Sequence, residues 1–153
     1  KIANTGNINM KLMSILTLGL GLAAGPLLAD GHASGDAEAG EKVFKKCKAC
    51  HMMVAGDGTV IVKGGKTGPN LFGLNERVAG SLEGFKYGKS IVAAGEAGLA
   101  WNEAEFVDYV ADPKDFLKRT LDDKKAKSKM SFKLKKEKDA TNVWAYIVSA
   151  GTE

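Results

Sequence analysis

The sequence predicts an all-α domain of short helices joined by long loops. Apolar residues recur at helical spacing near both ends of the chain, and the stretch between is cut by glycines with barely any strand signal. With 153 residues, 44% of them hydrophobic and 26% charged, and only three prolines, this is one globular domain, not two, and not a disordered or collagen-like polymer. The net charge of +4, from 22 basic and 18 acidic residues, is too mild to imply a nucleic-acid partner.

Residues 10–29 (MKLMSILTLGLGLAAGPLLA) run from Lys11 through an apolar stretch to Gly25, Pro26 and Ala29, the three-part layout of a secretory signal. The stretch is too short for a spanning helix. Residues 1–29 therefore read as a leader, in which 1–9 (KIANTGNIN) precede the first methionine, and 30–153 as the mature domain, exported to the periplasm without stable membrane insertion. Leu27 suits a cleavage motif poorly, so Gly31-His32-Ala33, with cleavage before Ser34, competes with cleavage after Ala29. A retained anchor is the alternative, and no stop-transfer run follows.

From Asp36 to Cys50, Ala39, Val43 and Cys47 stand four apart with Gly40 and Phe44 beside them, which predicts a helix delivering Cys47 to its C-terminal end. Residues 53–71 turn glycine-rich, a long loop in which Thr59–Val62 is a short extended stretch bounded by Asp57-Gly58 and Gly64-Gly65. Tyr87–Glu96 reads as a short helix. Asn102 with Glu105 is a cap and its reciprocal partner, opening a helix with Phe106, Val107, Tyr109 and Val110 that must stop before Pro113. Lys114–Lys138 is lysine-rich and poorly periodic. Lys138–Ala150 places Ala140, Val143, Trp144 and Ile147 on one face of a final helix closed by Gly151.

Chemistry is concentrated in Cys47-Lys48-Ala49-Cys50-His51, the C-x-x-C-H pattern of covalent haem attachment. Each thiol can add to one vinyl group of a haem, and the histidine after the second thiol can ligate its iron. Two cysteines do not make a disulfide framework. A thioredoxin-type site would need a strand before the motif and a parallel sheet. A zinc site would need four ligands, and only Cys47, Cys50, His51 and the remote His32 exist. The expected cofactor is one haem c per chain, attached through Cys47 and Cys50. Of the five methionines, Met10 and Met13 lie in the leader, and Met52 and Met53 adjoin His51 and cannot reach the opposite face of the iron. That leaves Met130, in the polar stretch Lys127–Phe132, as the second axial ligand; the plain alternative is a loop methionine covering the core.

Together with Gly68-Pro69-Asn70-Leu71, Gly84-Phe85-Lys86-Tyr87, Trp101, Tyr109 followed by Asp112-Pro113-Lys114, Lys129-Met130 and Val143-Trp144-Ala145-Tyr146, the motif falls in the order seen in class I cytochromes c. The chain resembles the bacterial cytochrome c2 and cytochrome c-550 branch over about residues 36–150. The resemblance implies the class I fold, short helices and long loops wrapped around one haem. It implies His51 as proximal ligand with its ring held by the Pro69 carbonyl, Met130 as distal ligand with Tyr109 near its sulfur, and Arg77, Tyr87, Trp101 and Ser128 reaching the haem propionates. Gly40 and Phe44 are then expected against Val143 and Tyr146. Two departures stand out: Phe44 is one residue closer to the first cysteine than in mitochondrial members, and Ile91 replaces an asparagine that many relatives bury near the haem.

The function implied is one-electron transfer by a monomer, from the cytochrome bc1 complex to a terminal oxidase or photosynthetic reaction centre. The competing class is a haem enzyme or sensor, peroxidase-like or gas-binding, with an open or labile sixth ligand. Between Lys114 and Lys138 there are 11 basic and four acidic residues. This positive collar suits encounter with acidic docking sites, against the plain reading of a solvated lysine-rich loop.

Overall fold

The protein is described by a computed structural model over residues 33–151, all of which fall in one compact unit, Gly31–Glu153. The expected leader, and Gly31 and His32 of the second cleavage motif, lie outside the described residues. The element order is α1 (Ala37–Phe44), β1 (Met53–Val54), β2 (Val60–Val62), α2 (Lys89–Glu96), α3 (Glu103–Ala111), α4 (Pro113–Thr120) and α5 (Glu137–Ala150).

The terminal helices form the frame. Asp36 caps α1 by accepting from the Ala39 N–H at 3.1 Å, and α1 buries Gly40 and Phe44 against α5. A side chain at Gly40 would collide with the Asn142 carbonyl and stand 2.9 Å from Tyr146 Cβ, so only glycine allows the helices to cross this closely. One turn on, Phe44 meets Tyr146 edge to face with centroids 5.2 Å apart. On α5 the predicted stripe is the buried one: Ala140, Val143, Trp144 and Ile147 are all 2% exposed or less. Asn142 is buried with them, and its Oδ1 accepts from the Asp36 N–H at 2.9 Å, which joins the α1 cap to α5.

α3 begins where expected, with Asn102 Oδ1 accepting from the Glu105 N–H at 2.9 Å, and it places Phe106 5.3 Å from the Trp144 ring. Asp112 then ends α3 and caps α4, accepting from the Asp115 N–H at 3.2 Å. α4 was not expected, because only Phe116 and Leu117 of its residues after Pro113 are apolar, too few to set a helical period. Its signals are the Asp112 cap, Pro113 at the first helical position and Asp115 in the first turn.

Two further expectations are corrected. The first helix ends at Phe44 rather than reaching Cys50; beyond it the chain tightens, with the Cys47 N–H bonded to the Phe44 carbonyl at 2.8 Å and the His51 N–H to the Cys47 carbonyl at 3.0 Å. The extended stretch is narrower, β2, and it pairs antiparallel with β1 in register Met53↔Val62. β1 is too short to be visible as a period, and it is fixed by the burial of Met53 and by Asn70, whose side chain bonds both backbone groups of Val54. α2 begins at Lys89, two residues later than expected, and buries Ile91 and Ala94.

Candidate haem-binding site

The Cys47–His51 segment is a tight turn clasped by the glycine-rich loop that follows β2. The Gly65 N–H bonds the Lys48 carbonyl at 2.9 Å and the Gly68 N–H the Cys50 carbonyl at 2.8 Å. A side chain at Gly64 or Gly65 would run into the carbonyl of His51 or Ala49. These two glycines, and Gly68 as a contact of the histidine, were missed from sequence; the Gly-Gly pair after an extended stretch was their signal. Both thiols are free of a disulfide, Cys47 half-buried and Cys50 exposed. Burial pushes the Cys47 thiol up to about 11, against the pull of the Lys46 ammonium, with Cys50 adding to the rise.

His51 is fixed from two sides. Its Nδ1 lies 2.8 Å from the Pro69 carbonyl oxygen, which can only accept, so Nδ1 carries the proton and Nε2 presents a lone pair. Burial pulls the ring's pKa below its ordinary value, partly offset by the bond to Pro69, and keeps the imidazole in the neutral form that binds metals. Gly68 packs against the ring face: a Cβ there would stand 2.6 Å from Nδ1 and 2.7 Å from Nε2.

Met130 lies half-buried against the same core cluster as Cys47, Tyr87 and Tyr109. Ser128 Oγ accepts from the Met130 N–H at 3.0 Å and lies 3.4 Å from the Tyr109 hydroxyl. Burial raises the Tyr109 pKa, against the pull of Ser128 and with a further rise from Tyr87, so the phenol stays protonated. Trp101 and Phe116 hold that ring edge to face, with centroids at 5.1 and 5.5 Å. The Met130 loop is tied down along its length. The Lys127 N–H bonds Ser90 Oγ at 3.0 Å, the Lys129 ammonium bonds the Lys86 carbonyl at 2.7 Å, Lys133 pairs with Asp112, and the Leu134 N–H bonds the Val110 carbonyl at 2.7 Å.

The residues expected at the propionates have protein partners here. Arg77 donates to the carbonyls of Asn70 at 2.8 Å and Phe72 at 3.3 Å; burial lowers its pKa, against the effect of the Tyr87 phenol. Tyr87 packs on Phe85 at 4.8 Å, Trp101 on Tyr109, and Ser128 serves the Met130 loop.

The donor set fits a covalently bound haem: two thiols on one turn, a neutral imidazole with Nε2 free, and a thioether on a separately anchored loop. The other chemistries fit less well. Among the described residues no three His, Cys, Asp or Glu side chains gather as a metal site would need, and the sheet is a two-stranded antiparallel hairpin that follows the motif.

No protein-family model matches the chain. It is 52% identical over 134 residues to cytochrome c2 of Rhodobacter capsulatus, covering 88% of this chain and 96% of that one. It is 51% identical over 129 residues to cytochrome c-550 of Paracoccus denitrificans, covering 83% and 81%. The chain belongs to the cytochrome c2 and cytochrome c-550 family. Its fold agrees: the structure of cytochrome c2 from Rhodobacter sphaeroides superposes with a TM-score of 0.76 at 51% identity, over 78% of this chain and 98% of that one. That of cytochrome c2 from Paracoccus denitrificans does so with a TM-score of 0.73. As a cytochrome of this family the protein is an electron carrier, not an enzyme.

In this cytochrome Ile91 is 9% exposed, within the core cluster. Ile91→Asn is expected to lower the reduction potential, because a dipole free to reorient stabilises the ferric charge. It is also expected to cost about 1–3 kcal/mol of stability from burying a polar group without a built partner. Potentiometric titration beside thermal unfolding checks both, and a rise in potential contradicts the pocket-polarity argument.

Proposed function

We propose that this cytochrome carries single electrons in the periplasm through one haem c joined to Cys47 and Cys50, with the iron between His51 Nε2 and the Met130 sulfur. The observation that carries the reading is the His51 ring, neutral, bonded through Nδ1 to Pro69 and packed on Gly68, with Nε2 left as the ligand atom. The bound haem supplies the one-electron change of its iron. The chain supplies the rest. Pro69 and Gly68 keep the proximal ring from turning. Ser128, Tyr109 and the Lys129–Lys86 tie anchor the Met130 loop, which would limit its reorganisation when the charge of a bound haem changes. A thioether ligand and an apolar surround favour the ferrous form and raise the potential. If His51 and Met130 both held the iron, no position on it would be left for a substrate, which is why this reading favours a carrier over a peroxidase-like or gas-binding protein.

The donor this reading implies is the cytochrome bc1 complex, and the acceptor a terminal oxidase or photosynthetic reaction centre, each docking on the lysine-rich face around the Met130 loop. Not every lysine there is a docking charge: Lys129 is tied to Lys86 and Lys133 to Asp112, whereas Lys125 and Lys127 extend no side-chain bond to a described residue. Lys125→Gln with Lys127→Gln is therefore expected to slow second-order electron transfer to an acidic partner by about two- to fivefold at low salt, with the visible spectrum unchanged. The difference should shrink as the Debye length falls from about 30 Å at 0.01 M to about 8 Å at 0.15 M salt. Lys42→Gln on α1 with Lys45→Gln at its C-cap is the control. Equal slowing by both pairs, or rates independent of salt, would reject docking on this face.

A further inference from the structure

We propose that export processing cuts the peptide bond between Ala33 and Ser34, and that Glu103 on α3 receives the amino terminus this creates. The step is a hydrolysis by the export peptidase. The bond from the Ala33 carbonyl to the Ser34 nitrogen breaks, water supplies the oxygen that completes a carboxylate on Ala33, and the Ser34 nitrogen leaves as an ammonium. In sequence, Gly31 and Ala33 put small residues at the third and first positions before this bond, the pattern an export peptidase reads, whereas a cut after Ala29 puts Leu27 at the third.

The structure holds a seat for the new terminus. The Ser34 N–H donates to Glu103 Oε2 at 2.7 Å and the Ser34 hydroxyl donates to Oε1, so both oxygens of one carboxylate close on one residue 69 positions away in the chain. The residues that follow keep Ser34 there. A side chain at Gly35 would collide with the Thr141 carbonyl of α5, and the Asp36 N–H bonds Asn142 Oδ1 at 2.9 Å. Ser34 thus opens a segment docked residue by residue on α3 and α5; before it, among the described residues, Ala33 adds one half-buried methyl against the core cluster.

The setting favours a cation. Among the described residues no Lys or Arg side chain pairs with Glu103, and the cleft that Ser34 helps to line carries Asp36 and Glu137 against Lys138 alone. With the chain continuous, Ser34 offers these carboxylates a neutral amide. Once the bond is cut, the same nitrogen carries a full positive charge at hydrogen-bond distance from Glu103, and the contact becomes a charge-assisted ion pair. A cut after Ala29 would leave Asp30 to Ala33 in front of Ser34 and that nitrogen an amide. The inference shares with the proposed function only the export of the chain and does not involve the haem ligands.

The test expresses the full chain, leader included, in a host that exports it and attaches haem, and reads the purified protein by N-terminal sequencing and intact mass. Ser34 is expected as the first residue. Any other terminus, Asp30 above all, overturns the cleavage; the proposed function fails separately, on a spectrum without thioether ligation. Capture is tested by Glu103→Gln, expected to lower the melting temperature of the protein that begins at Ser34 by about 1–4 °C at low salt, the size of one exposed ion pair in a domain of this length. In a version produced with Asp30 to Ala33 still in front of Ser34, the same substitution is expected to cost less than about half as much, because an amide brings no charge to lose. Equal losses in the two versions, or none in either, would show that Glu103 does not hold an ammonium group and overturn the capture.

Discussion

Gly68→Ala is expected to disable the haem site while leaving the helices in place. The added methyl would stand 2.6 and 2.7 Å from the two nitrogens of the His51 ring, and that ring cannot turn aside without losing its bond to the Pro69 carbonyl. Overpacking of this kind costs about 1–3 kcal/mol. Here the strain falls on the ligand itself, so haem incorporation should drop, and protein that does load haem should show a shifted potential and a lower melting temperature. Gly73→Ala is the matched control. Its glycine has φ 62° with open space around the missing Cβ, so alanine pays only the cost of the left-handed backbone, about 1 kcal/mol, and leaves His51 untouched. Equal potentials in the two variants would show that Gly68 does not set the ring.

Met130→Ala should have the largest electronic effect. The loop keeps its ties through Lys127 to Ser90, Lys129 to Lys86 and Lys133 to Asp112, so the fold should survive the loss of one half-buried side chain. The sixth position would then open. The potential is expected to fall by tenths of a volt, a sizeable part of the roughly 0.8 V over which axial ligands tune haem iron. Small ligands such as carbon monoxide, excluded from the parent, should bind. An unchanged visible spectrum would remove Met130 from the iron and leave it a loop residue covering the core.

What was legible in the sequence follows from how many residues carry each signal. α5 was legible because four buried positions repeat at helical spacing over its length, and α3 because Asn102 and Pro113 mark its two ends. α4 was hidden by lysines: it buries Pro113, Phe116 and Leu117, but Pro113 reads in sequence as the stop of α3, and the pair that remains sets no period. β1 was invisible because its position rests on contacts distant in sequence, the burial of Met53 and the bonds from Asn70 to Val54. At the site, C-x-x-C-H announces its own chemistry. The glycines that cradle it do not, since a glycine required by a close backbone approach looks the same in sequence as one in an open loop. Gly68 faces the His51 ring, whereas Gly73 faces open space and owes its glycine to a left-handed backbone, a difference the sequence does not display. The collar shows the converse. Its charge was countable, but which lysines are free depends on partners such as the Lys86 carbonyl and Asp112, set by the fold.

The claim that one iron is held between His51 and Met130 is tested most directly by the visible spectrum of the oxidised protein at neutral pH. The account predicts a weak absorption band at the red end of that spectrum, from thioether ligation of ferric iron, which disappears on reduction. A folded protein with haem attached but without that band would contradict it, and would turn the reading toward a haem protein with an open or labile sixth position.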